Sequence, residues 1–202
     1  SRGSKADITL TLVTRRTADL SWREDPYDDA PAGFHGTHVA GIIGSTDSTY
    51  GGVAPDVDLV ALRVFNDLGS GKFAWVEQAL AWVHQNRDAF ANPITTVNMS
   101  LGTVWNSDDI PLWAMLEEEL AQLEADGIFV SVAAGNSFDP QDGTGLSYPA
   151  ASPYVVPVAS VANDGTMSGF SQRNSQVIAA PGESITSTVP DYLFDLDGVA
   201  DD

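Results

Sequence analysis

Cysteine is absent from the 202 residues. That excludes disulfides, thiolate metal sites and a cysteine nucleophile. Basic residues are scarce: nine in all, of which only Lys5 and Lys72 are lysines, against 28 acidic residues, for a net charge of −19. A surface so acidic repels phosphate backbones, so nucleic acid is not an expected partner. It suits high salt, where screening weakens the self-repulsion. No apolar run approaches the roughly 18 residues of a membrane span, so no membrane partner is expected either. Residues 1–5, Ser-Arg-Gly-Ser-Lys, carry no apolar signal-peptide core. What is present is an apolar fraction of 43%, enough to build the core of one domain at this length.

Residues 1–34 read as an irregular N-terminal segment, with one strand where Ile8, Leu10 and Leu12 alternate with threonines. From residue 35 the pattern is regular. A short helix is expected over 36–44 and a buried strand over 57–65. In 72–90, Phe73, Val76, Ala79, Leu80 and Val83 recur at helical spacing, and Asn92-Pro93 stops that helix. A strand over 94–99, a second helix over 110–126 ending at Gly127, and strands over 128–134, 154–161 and 176–180 follow. Strands apolar on both faces that alternate with long helices predict an α/β fold: a three-layer, doubly wound domain with a mainly parallel central sheet.

Such sheets bind ligands outside the carboxyl ends of their strands, and three marked segments fall there. His35 stands in Gly33-Phe34-His35-Gly36-Thr37-His38-Val39-Ala40-Gly41 at the start of a helix. Asn98-Met99-Ser100-Leu101-Gly102 closes one strand, and Val132-Ala133-Ala134-Gly135-Asn136 closes another. Each has a plain structural reading when taken alone: a core histidine, a chance tripeptide, a turn.

In this order, the three segments resemble the subtilisin-like serine proteases, the subtilases, over about residues 33–190. Tyr148-Pro149-Ala150 and Ala180-Pro181-Gly182 match further recurrent segments of that family. The resemblance implies that 35–202 is a partial peptidase domain of a secreted, monomeric serine endopeptidase acting on peptides or proteins. It implies His35 as general base, with His38 not catalytic. It makes Ser100, Leu101 and Gly102 one wall of the P1 side-chain pocket, which also pairs with the substrate backbone, and Ala133, Ala134 and Gly135 the other. Asn136 is the implied side-chain donor to the oxyanion, and Tyr148-Pro149 is expected to be cis. An imidazole with a pKa near 6.5 suits the base's task at neutral pH. Walls of small residues suggest room for a large P1 side chain.

Two parts of the family pattern are missing. Subtilases order their triad Asp, His, Ser. The acid should lie about 30 residues before His35, where Asp7 is the only carboxylate, with no apolar strand before it and no glycine after it. The nucleophile's Gly-Thr-Ser-Met-Ala is nowhere in the chain, and Ser187 is a poor substitute in Ile185-Thr186-Ser187-Thr188. A fragment truncated at both ends, inactive by itself, is therefore expected, with a non-catalytic peptide-binding relative as the alternative. The chemistry requires no cofactor. A structural calcium, which many subtilases hold, would find one carboxylate in residues 45–50 and several in the tail (Asp195, Asp197, Asp201, Asp202), where solvated acidic loops are the simpler reading.

Overall fold

The computed structural model describes residues 35–65 and 70–188 in full and the backbone of residues 8–13. Its elements are β1 (Ile8–Val13), α1 (His35–Gly44), β2 (Asp58–Arg63), α2 (Phe73–Asn86), β3 (Ile94–Met99), α3 (Glu117–Ala125), β4 (Phe129–Ala133), β5 (Val156–Val161) and β6 (Ile178–Pro181). All six strands run parallel in one sheet of order β2-β1-β3-β4-β5-β6. The α/β architecture predicted from the apolar runs is the one observed. The strand expected near residues 8–12 lies inside the sheet, between β2 and β3.

Alternation along the strands sorts side chains onto two faces. Val60 and Leu62 of β2, Val97 and Met99 of β3, Val130 and Val132 of β4 and Ala159 of β5 join one buried cluster. Val76, Ala79, Leu80 and Val83 of α2 and Leu120 and Leu123 of α3 complete it. Burying each of the leucines stabilises by about 1.5–3 kcal/mol before entropy is counted. The α1 helix packs on the other face, where a side chain on Gly44 would meet Leu59 and Val57. Over β4, β5 and β6 that second face has no helix among the described residues. Phe129 is 49% exposed there, and Ile178, level with Val158 in the register, is 52% exposed.

Helix α3 begins later than its periodicity predicts, at Glu117 rather than near residue 110. Pro111 accepts the Ala114 N–H in a tight turn instead. Trp113 then stacks edge-on against Trp105 and Tyr148 and tilted against Phe73. The Tyr148 hydroxyl accepts the Leu116 N–H at 3.1 Å, taking a donor that an extended helix would have used internally. Three glutamates in the first turn complement the helix dipole. At the other end Gly127, at φ 75°, sends its N–H to the Glu124 carbonyl, while the Ile128 N–H reaches Leu123. This is a Schellman end, which needs the left-handed residue that glycine supplies most easily.

The C-terminal ends of α2 and α3 are pinned by Asp126. Its carboxylate accepts from His84 Nδ1 at 2.5 Å, from Arg87 Nη1 at 2.7 Å and from Gln122 Nε2 at 3.3 Å. The His84 bond outweighs the opposing effect of burial and, with a lesser contribution from the Arg87 charge, holds the Asp126 pKa below the ordinary 3.8. A depressed folded-state pKa gives stability that is present above the unfolded value and is lost as pH falls through the folded one. Asp126→Asn should therefore lower the urea midpoint at pH 7, and the gap from wild type should close below about pH 4. Equal gaps at pH 7 and pH 3 would show that the charge contributes nothing.

Candidate active site

The chain passes from β1 through α1 to β2 on one side of the sheet, then through α2 to β3 on the other side of β1. The direction of winding thus reverses between β1 and β3, and a crevice opens at their carboxyl ends. His35 is the first residue of the helix that follows β1. Ser100, Leu101 and Gly102 follow β3, and Ala134, Gly135 and Asn136 follow β4, whose last residue is Ala133. The sequence-predicted residues are therefore placed along one edge of the sheet by three neighbouring strands.

A cavity of about 210 Å³ opens there, lined by Asn98, Ser100, residues 132–136, Val158, Ala159, Ser160, Ser171 and residues 180–182. Asn98, Ala133, Val158, Ser160 and Ala180 belong to the face that no described helix covers over β4–β6, so the cavity continues that open surface. Leu101 and Gly102 line a second groove of about 250 Å³ with Val64, Phe65, Phe73 and Val76. His35 lines neither cavity. Ser160 and Ser171 escaped the motif search. Ser160 is legible afterwards from two-residue alternation in β5, whereas Ser171 sits in a loop without periodicity.

Asn136 is exposed, and its amide makes no hydrogen bond to a described residue. The backbone of Leu101 and Gly102 is likewise without hydrogen-bond partners among them. Just before Asn136, Gly135 holds φ at 115°, and its carbonyl accepts the Gln172 N–H at 2.9 Å. A side-chain-bearing residue would be strained there. Asn98 Nδ2 donates to Ser100 Oγ at 3.1 Å, and Ser131 Oγ donates to Asn98 Oδ1 at 3.2 Å, which fixes the end of β3. The Tyr148-Pro149 bond is cis, as expected.

The outer side of the His35 ring is open to solvent, yet the surrounding chain removes enough water to lower its pKa below 6.5. The charge of His38 one helical turn on adds to the shift. No described residue hydrogen-bonds either His35 nitrogen. Asp7 lies outside the described residues; its neighbour Ile8 opens β1 at the amino edge, opposite the edge that carries His35. Ser187 is bonded elsewhere: its Oγ donates to the His38 carbonyl at 2.6 Å, and Thr188 Oγ1 donates to the Thr37 carbonyl at 2.9 Å. These bonds tie the chain beyond β6 to the first turns of α1, and the Ser187 hydroxyl is spent on them. After α1, Asp47 Oδ1 accepts the N–H groups of Thr49 and Tyr50, each at 2.7 Å. That oxygen is already used, and this loop alone does not fit the 6–8 oxygen ligands of calcium. Among the described residues no three acidic or histidine side chains gather as a metal site, and the tail aspartates lie outside them.

Residues 10–195 match the model of the subtilase family of S8 peptidases. An intracellular serine protease of Paenibacillus polymyxa is 39% identical over 188 residues, which cover 91% of this chain and 54% of that protein. Subtilisin E of Bacillus subtilis is 34% identical over 169 residues, 82% of this chain and 41% of that one. The major intracellular serine protease of the same species is 36% identical over 183 residues, 88% of this chain and 53% of that protein. This chain thus spans about half the length of the curated relatives it matches. Among solved structures, the prenylagaramide maturation protease PagA superposes with a TM-score of 0.72 at 24% identity, covering 94% of this chain and 68% of that one, a likeness of fold alone. With the motifs, the parallel sheet and a family match over most of its length in agreement, the chain belongs to the subtilase family.

Proposed function

We propose that this chain is part of a serine endopeptidase that hydrolyses peptide bonds through an acyl-enzyme. Its substrates would be peptides or proteins, bound by a monomer. The observation that carries the reading is the Asn136 amide, unpartnered among the described residues, beside a cavity at the carboxyl edge of the sheet. A carbonyl lodged in that cavity would turn its oxygen toward the amide, which donates most strongly once the oxygen becomes an oxyanion. His35 would take the proton of a serine hydroxyl as its oxygen attacks the carbonyl carbon, and return it to the departing amine. The backbone of Leu101 and Gly102, unbonded among the described residues, would pair with the substrate as an added strand, which gives affinity with little sequence specificity.

The nucleophile and the carboxylate that orients His35 would come from outside these 202 residues, in keeping with relatives about twice as long. The chemistry draws on no cofactor. A fluorophosphonate probe should label a serine in the full-length gene product and leave the 202-residue chain unlabelled. Labelling of the short chain would overturn the assignment, and absence of labelling in both would favour a peptide-binding relative. The secreted location implied by the resemblance rests on the subtilisins and is opposed by the two relatives named intracellular. Immunoblotting of culture medium against cell pellet decides between them.

A further inference from the structure

Helix α1 carries His35 as its first residue, yet its sequence makes a poor helix. Of its ten residues, Gly36, Gly41 and Gly44 are glycines and Thr37, Val39, Ile42 and Ile43 are β-branched. No acidic residue stands in the first turn to complement the dipole. Contacts from elsewhere must therefore hold it, and they arrive at both ends. At the far end, the Val53 and Ala54 N–H groups donate to the Ile42 and Ile43 carbonyls at 2.9 and 2.8 Å. At the end that bears His35, the Ser187 and Thr188 hydroxyls donate to the His38 and Thr37 carbonyls. Gly41 opens the slot through which they reach the helix, since a β-carbon there would overlap both hydroxyl oxygens.

The segment that delivers these hydroxyls starts at the cavity, which Gly182 lines together with Ser160 and Asn136. The Gly182 N–H donates to the Val161 carbonyl at 3.0 Å, and a β-carbon on Gly182 would overlap the Ser160 hydroxyl oxygen. Two residues on, Ser184 turns the chain at φ 56°, the one non-glycine residue with positive φ among those described. Such a conformation is strained and persists where its surroundings over-determine it. Residues 182–188 thus form a strap from the rim of the cavity to the helix that begins with His35.

We propose that Ser187 and Thr188 are positioning residues for His35: by clamping the first turns of α1 to the strap, they set the place of the imidazole relative to the Asn136 amide. The inference rests on the protease reading of the same site. His35 and Asn136 follow different strands, β1 and β4, so no local sequence fixes their separation. The strap joins the cavity rim to the helix directly. Bonds from two adjacent residues to two adjacent carbonyls resist both sliding and rotation of the helix, which a single bond would not. Precision matters here, because a displacement of about 1 Å costs on the order of 10²-fold in rate.

The test compares Ser187→Ala/Thr188→Val, Thr188→Val and Thr188→Ser in the full-length gene product, each first shown folded by circular dichroism and assayed well below its melting midpoint. The double variant should lose about tenfold or more in kcat with KM within about twofold. Thr188→Ser keeps the hydroxyl and should retain kcat within about threefold, whereas Thr188→Val keeps the shape and should lose more. In the 202-residue chain, the double variant should exchange the amide hydrogens of α1 about tenfold faster. An unchanged kcat in the double variant overturns the positioning role, even if α1 exchanges faster. Equal losses in Thr188→Val and Thr188→Ser overturn the role of the hydroxyl. An inactive unaltered full-length product overturns the protease reading and this inference with it, while the exchange rates still report whether the strap holds α1.

Discussion

Replacing His35 by alanine in the full-length gene product should lower kcat by about 10⁶, the loss known for removing the histidine of subtilisin's own triad. The members of such a triad act as a unit, so a missing base leaves the nucleophile as an ordinary alcohol. KM should move far less, because the imidazole meets the substrate mainly in the transition state. Stopped assays with a chromogenic peptide measure both constants; a loss below a hundredfold would remove His35 from the base's role. The 202-residue chain offers a check that needs no activity. Partial loss of water and the His38 charge disfavour the imidazolium, so the NMR titration midpoint of His35 should fall below 6.5. A lowered pKa also means that the unfolded chain binds the proton first as pH falls, so acidification through 6.5 costs stability. A midpoint above 6.5 would reveal a carboxylate already beside the ring.

Asn136→Ala should lower kcat by about 10²–10³ with KM nearly unchanged, the size seen when the corresponding asparagine of subtilisin is removed. The logic is geometric. Gly135 at φ 115° and the Gln172 bond to its carbonyl set the direction in which Asn136 leaves the strand. The amide then stands at the cavity without a hydrogen bond to any described residue, and little reorganisation is needed when negative charge develops. Asn136→Asp sharpens the test, because a carboxylate of similar shape would repel the oxyanion and should be at least as damaging. Equal losses in kcat and in substrate affinity would indicate ground-state binding instead.

Elements whose signal lies in neighbouring residues were legible without coordinates. Phe73, Val76, Ala79, Leu80 and Val83 mark α2 within a few residues of its ends, and residues 94–99 form β3 as read. His35, residues 100–102 and residues 133–136 were found from their type and order, and the sheet brings them to one edge. The start of α3 was misjudged because Trp113 and Tyr148, 35 positions apart, hold residues 110–116 outside a helix that their composition would allow.

The sequence by itself determined the α/β class, the parallel sheet and the family, because each is written in short-range periodicity or in contiguous motifs. Tertiary structure alone decided that Ser187 is tied to the His38 carbonyl, that no described helix covers one face over β4–β6, and that Ser147 joins the Ala134 carbonyl to the Thr103 N–H. Those facts depend on contacts between segments tens to more than a hundred residues apart, and such contacts leave no trace in any local pattern: a serine reads the same whether it will bridge two loops or face water.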